Sequence, residues 1–314
     1  PREVRGVHVS QFVAGDADRM RAFYEAADPE NGLNTLEVDV KDERGLVGFR
    51  ARVPLARKIG AARPYYDPAR LVAEAHGRGL YLIGRVVMFQ DPLLATKARG
   101  YAIRHKDGSV WRNDAGLAWV DPSNPRVWQY GIDLAKAAAR AGFDEIQFDY
   151  VRFPTDGSVG DAVFHDAATP RDRVITRFLE TAAAALRPLG VHVSADVFGM
   201  AATTDLGIGQ NPLLMKNVLD AISPMAYPSH YGPGVYGIAS PDANPYDLMS
   251  ATLLDWRKRL VNGRAVLRPW LQDFGGYTAE QVRAQIRAAR EQHASGFLLW
   301  NAGVEYSPGV LGAS

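Results

Sequence analysis

Eight short apolar or alternating runs recur along the chain, and between each and the next lie a loop and a stretch whose apolar positions recur at helical spacing. The strand-like runs fall at 4–10, 34–40, 80–89, 145–151, 191–198, 221–227, 265–272 and 296–301. Helix starts between them are legible. Asp16 caps DADRMRAFYEAA, DPARLVAEAHGRG has proline in its first turn and a terminal glycine, and Thr278 caps TAEQVRAQIRAAREQHASG. The stretches 124–141, 170–189 and 245–261 also alternate helically, and the link between the fifth and sixth strands has room only for a short helix at 212–219. A strand that is followed each time by a helix returns parallel to its predecessor, so this order predicts an α/β fold with a parallel sheet. Eight units in 314 residues predict a (β/α)8 TIM barrel, read as one domain over 1–314 because no Pro-, Gly- or Ser-rich linker divides it. No GxGxxG follows the first strand, which argues against a doubly wound dinucleotide-binding sheet. The loops after strands three (90–123) and six (228–244) are long, and both are expected on the carboxyl-end face where barrels carry their sites.

Strand alternation sorts side chains into a helix-facing and a barrel-facing set. In EIQFDYV the apolar Ile146, Phe148 and Tyr150 share one side, and Glu145, Gln147 and Asp149 the other. The same count sends inward His8 and Ser10; Glu37, Asp39 and Lys41; Arg85; His192, Ser194 and Asp196; Ser223 and Tyr227; Arg268, Trp270 and Gln272; and Trp300. Buried charges are costly unless they pair, so these groups must meet one another or face substrate at the open end. The deep Glu145, His192 and Arg85 read as an internal pairing network, and Asp39, Asp149 and Asp196 at the carboxyl tips read as functional. Strands four and five are neighbours, which brings the Asp149 and Asp196 carboxyls within ~5–6 Å, the range of retaining glycosidases, whereas inverting enzymes need roughly 6.5–9.5 Å. Two carboxylates so close cannot both ionise freely, and one is expected to stay protonated as an acid. Phe153, Trp111, Trp119, Tyr227, Tyr231, Tyr236, Trp270 and Trp300 fall at strand ends or in loops where they could stack on sugar rings.

Composition narrows the chemistry. With 36 basic against 35 acidic residues the net charge is +1, without the basic stripe that a phosphate backbone requires, so nucleic acid is not an expected partner. The chain has no cysteine, which removes thiolate metal sites and a cysteine nucleophile, and its seven histidines are scattered, so neither a metal nor another cofactor is expected. Lys41 could serve a Schiff base, but Asp39 and Asp42 beside it favour a paired ammonium. Gly275 and Gly276 suit a tight turn better than a phosphate cradle. No run approaches the ~18–20 apolar residues of a membrane span. Residue 1 is proline, so a native start and any export signal are expected upstream of it.

The phrases EVDVKDERG, RVVMFQDPLLA, GLAWVDPSNPRVW, FDEIQFDYVRFP, SADVFGM, ISPMAYPSHYGPG and RPWLQDF occur in order from about Val4 to about Ala302. Together they resemble the bacterial putative glycoside-hydrolase (β/α)8 domain family, long a domain of unknown function, which is related to α-amylase-like glycosidases. The resemblance implies a glycosidase-type barrel, exported or attached to the cell surface, acting on an oligo- or polysaccharide. A cytoplasmic location stays open. By position it implies a nucleophile at Asp149 and a second catalytic acid at Asp196, where many amylase-like enzymes carry the longer glutamate. Asp39, Lys41, Arg85, Arg152, Tyr227, His230, Trp270, Gln272, Asp273 and Trp300 are the expected substrate-binding residues. The competing reading is a non-catalytic barrel that binds carbohydrate as a cell-surface glycan scaffold.

Overall fold

A strand covered by helices outside and by other strands' side chains inside is buried on both faces, which is why these runs are so apolar. The computed structural model describes residues 3–311. The expected domain bounds of 1–314 therefore include residues 1–2 and 312–314, which lie outside the described residues. The strands are β1 (Val4–Val9), β2 (Thr35–Lys41), β3 (Tyr81–Val87), β4 (Glu145–Asp149), β5 (His192–Phe198), β6 (Ala221–Met225), β7 (Val266–Leu267), β8 (Trp270–Gln272) and β9 (Gly296–Trp300). They pair in parallel in the order β5-β4-β3-β2-β1-β9-β8-β6-β7, and a β5–β6 pairing closes the cylinder. β7 and β8 are two pieces of one stave, so nine segments make the eight staves of a (β/α)8 barrel. The break falls at Pro269, which has no N–H to give the ladder, although its carbonyl still accepts from Leu298 at 3.0 Å.

The expected helices form where their caps stand. Asp16 accepts from the Asp18 and Arg19 amides before Ala17–Glu25, and Asp67 does the same for Pro68–His76. Asn124 caps Pro125–Ala141, and Gly142 ends that helix at φ 108°, a conformation that suits glycine. Thr278 and Gln281 form a reciprocal capping box at the start of Ala279–Glu291. The fifth and sixth strands are joined through the four-residue helix Pro212–Met215, as the short link requires. Among the described residues no helix is long and apolar enough to cross a membrane.

The lower half of the barrel holds a polar network. The Arg268 guanidinium pairs with Glu145, which also accepts from Ser194 and, at 3.1 Å, from the Tyr81 hydroxyl, and Arg268 donates to Gln147 at 3.1 Å. Residues from four staves are tied together, which fixes their register and places β4 and β5 side by side beneath the open end. His192 does not join them. It stands exposed at the amino end of β5.

Candidate active site

Asp149 is the last residue of β4, and the backbone turns immediately after it. Tyr150 has φ 49°, in the left-handed region that a bulky residue enters at a cost of roughly 1–3 kcal/mol. Its N–H donates to Asp149 Oδ1 at 2.6 Å. The expectation that Tyr150 continues the apolar face of Ile146 and Phe148 is thereby corrected. The reversed φ takes its ring off that face to line the open end, 5.9 Å from Trp119.

Asp149 Oδ2 accepts from Arg85 Nη2 at 2.6 Å and Nε at 3.0 Å. The same guanidinium donates from Nη1 to Asp39 Oδ1 at 2.7 Å and lies 3.6 Å from Glu43. Asp39 also meets His8 Nε2 at 3.2 Å. Burial pushes the Asp39 carboxyl up, but the opposing charges of His8 and Arg85 outweigh it and hold the group below the usual aspartate range. Arg85 is thus a buried cation shared between acids on β2 and β4.

Asp196 continues this row on β5. The β4–β5 register pairs Phe148 with Ala195, so Asp149 and Asp196 follow as neighbours on adjacent strands. Asp196 Oδ1 accepts from the Trp270 indole at 2.6 Å and from the Gln147 amide. Burial and then the Asp149 charge raise its carboxyl well above the ordinary value, and these two hydrogen bonds only moderate the rise. Among the described residues nothing is bonded to its Oδ2, which is the oxygen left to carry a proton.

A cavity of about 760 Å³ opens over this pair at the carboxyl ends of the staves. Of the expected residues, Asp149, Asp196, Arg85, Arg152, Tyr227, His230, Trp270 and Trp300 line it. Asp39 stands behind them and reaches the cavity through Arg85. Three expectations are corrected. Lys41 points away because the β2–β3 register slips between Asp39 and Lys41, and its ammonium instead pairs with Asp91 at 2.7 Å under the Tyr130 ring. Gln272 ties loops together, accepting from the Ser229 amide and donating to the Phe274 carbonyl. Asp273 accepts from the amide and hydroxyl of Ser307 and anchors the chain after β9. Of the expected aromatic platforms, Trp111 and Phe153 are core residues, whereas Tyr231 lines the cavity.

Several lining residues escaped the sequence reading. Glu43 sits two residues beyond β2, past the reach of strand alternation, and its only signal is membership of the acidic run in EVDVKDERG. Phe198 ends β5, and Met200 and Leu206 follow it in a segment without periodic apolar signal. Deeper still, Glu37 is fully buried with both carboxyl oxygens unbonded, and its nearest cation is Arg85 at 4.0 Å. Burial raises its carboxyl well above the usual value, Arg85 opposes the rise, and the acids around it add to it. Among the described residues no group of three or more His, Asp or Glu side chains is arranged to hold a metal ion.

Residues 6–306 match the family model described as "Putative glycosyl hydrolase domain". The chain belongs to that family. Its barrel is accordingly that of a glycoside hydrolase. Among solved structures it is similar to a hypothetical protein from Ruminiclostridium thermocellum, at 35% identity over 61% of this chain and 97% of the other, with a TM-score of 0.55. The C-terminal domain of a putative chitinase from Desulfitobacterium hafniense is 12% identical over 99% of this chain and 97% of its own, with a TM-score of 0.61. The α-galactosidase of Thermus thermophilus is 15% identical, with a TM-score of 0.59; the match takes in 99% of this family member and 60% of the galactosidase. The last two likenesses are of fold. No curated protein matches the chain.

Proposed function

We propose that this barrel cleaves a glycosidic bond of an oligo- or polysaccharide by double displacement, with Asp149 as nucleophile and Asp196 as acid/base. One observation carries the reading: the two acids are neighbours on adjacent strands with unlike surroundings, Asp149 against a buried guanidinium and Asp196 against two neutral donors. Asp149 rests against the Arg85 guanidinium and a backbone N–H, which hold and orient the carboxyl for attack. Asp196 is raised by burial and by the Asp149 charge, which favours the protonated form an acid needs. In the first step an Asp149 oxygen bonds to the anomeric carbon while the Asp196 proton passes to the departing glycosidic oxygen. In the second, Asp196 takes a proton from water, whose oxygen bonds to the anomeric carbon and releases Asp149. Strands spaced ~4.8 Å apart suit the ~5–5.5 Å carboxyl separation of retaining enzymes and leave little room for an intervening water. Trp270, Trp300 and Tyr227 offer ring faces for the sugar, and Trp270 also holds Asp196 in place.

The test is release of reducing ends from a panel of glycans by wild type, Asp149→Asn and Asp196→Asn, with the anomer of the first product read by proton NMR. The expected result is retention of configuration and a loss of roughly 10²–10⁴-fold or more in kcat for either variant. The kcat/KM of wild type should fall as pH rises through the elevated Asp196 value, and that basic limb should vanish in Asp196→Asn. Unchanged turnover in both variants would refute the assignment. A non-catalytic glycan scaffold would bind oligosaccharide and release no reducing ends.

A further inference from the structure

Four arginines are buried among the described residues: Arg5, Arg85, Arg152 and Arg268. Three of them have a carboxylate within ion-pair distance, namely Glu3 for Arg5, Asp39 and Asp149 for Arg85, and Glu145 for Arg268. Among the described residues Arg152 has none. It lines the catalytic cavity with 8% of its surface exposed, and its one hydrogen bond runs from Nη1 to the Phe153 carbonyl at 3.1 Å. Aromatic rings surround the guanidinium, with the centroids of Trp119, Tyr150 and Phe198 at 4.9, 5.2 and 4.8 Å. Rings hold a cation by its planar faces and do not satisfy its in-plane N–H donors. The Nε and Nη2 donors are neither bonded within the protein nor sealed from the cavity.

A guanidinium stays charged when buried, and a desolvated positive charge without a counterion is stable only where something negative arrives. Burial does lower Arg152 from its ordinary value, with the charges of Asp149 and Asp156 felt at a distance and opposing the fall. Of the other cationic side chains that line the cavity among the described residues, His230 is lowered by desolvation and favours its neutral form. Arg85 is already neutralised by its own acids. The cavity thus offers one unspent fork of donors, of the planar kind that matches a carboxylate.

We infer that the glycan taken by this cavity carries a carboxylate, on a uronic acid or on a lactyl-ether sugar, and that Arg152 binds it. This rests on the glycosidase reading above and names its substrate class. A neutral glycan would leave the Arg152 donors facing only hydroxyls and water and would forfeit the charge-assisted bonds.

The experiment compares acidic glycans with their carboxyl-reduced counterparts, prepared by carbodiimide and borohydride. Oligogalacturonate and hyaluronan oligosaccharides supply uronic carboxylates, and peptidoglycan glycan strands freed of their stem peptides by an amidase supply the lactyl carboxylate of muramic acid, so the arms separate the two sources. Wild type should cleave at least one acidic form with kcat/KM at least about tenfold above its reduced form. Arg152→Gln should erase that ratio, and Arg152→Lys, which keeps the charge and loses the fork, should restore part of it. The wild-type ratio is informative even if a variant fails to fold. Cleavage of reduced and acidic forms with equal efficiency, or an undiminished ratio in folded Arg152→Gln, overturns this inference and leaves the glycosidase reading intact. If nothing is cleaved but calorimetry shows Asp149→Asn binding an acidic oligosaccharide at least about tenfold tighter than its reduced form, the glycosidase reading fails and this inference stands. Absence of both cleavage and preferential binding overturns the two together.

Discussion

Replacing Arg85 with methionine keeps most of the side-chain volume and removes the one cation at the centre of the acid cluster. In wild type its guanidinium lies 2.6 and 3.0 Å from Asp149, 2.7 Å from Asp39 and 4.0 Å from Glu37, and the residue is 2% exposed. Its removal leaves Asp39, Asp149, Glu37 and Asp196 around a low-dielectric centre with His8 as the remaining partner. Breaking a buried ion pair from one side costs about 3–5 kcal/mol, and burial this complete leaves little solvent to screen the charges. The pH dependence follows from the sign of each shift. In wild type Asp39 is held below its unfolded value, so it contributes stability above the ordinary aspartate range near ~3.9 and loses it as pH falls. Without Arg85 the orphaned acids should titrate above their unfolded values. Their stability would then be greatest in acid and decline as pH rises through the folded values, by ~1.4 kcal/mol for each pKa unit. Urea unfolding of wild type and Arg85→Met at pH 4, 6 and 8 measures this, with the gap between the proteins widening toward pH 8. A gap below about 1 kcal/mol, or one of equal size at all three pH values, would refute the view that Arg85 is the counterion of the cluster.

Two further outcomes follow from the same geometry. Glu37 is raised in the folded protein, so its contribution is fullest in acid and is lost as pH rises through the folded value. Glu37→Gln cannot ionise and should unfold at higher urea than wild type at pH 9 but not at pH 4; parallel stability curves would show that Glu37 does not titrate there. Lys41→Met should cost about 3–5 kcal/mol by stranding the buried Asp91 carboxylate, yet leave KM for a cleaved glycan within about twofold. A KM rise of tenfold or more would return Lys41 to the cavity.

Most of the acid row was legible because strand alternation survives wherever the backbone is regular. Glu145, Gln147 and Asp149 face inward on β4, Ser194 and Asp196 face inward on β5, and the two rows stand side by side. The misplaced residues sit where regularity breaks. Lys41 lies just past a register slip, and a one-residue slip sends a side chain to the opposite face. Tyr150 enters the cavity through a left-handed φ that its own side chain disfavours. Alternation turns Gln272 inward, but its side-chain amide is taken up by the Ser229 N–H and the Phe274 carbonyl.

Apolar periodicity, helix caps and the strict alternation of strand and helix were sufficient on their own to specify eight β/α units and to place acids at the carboxyl ends of the staves, because these are local properties of a chain. What each acid can do was decided only in three dimensions. Arg85 is 64 residues from Asp149 and 46 from Asp39, and Trp270 is 74 from Asp196, yet these contacts hold and orient the carboxyls at the open end. The lone guanidinium of Arg152 belongs to the same class, since a missing partner becomes visible only when every neighbour is in place. Protonation depends on burial and on charges a few ångströms away, and those distances exist only after the cylinder has closed.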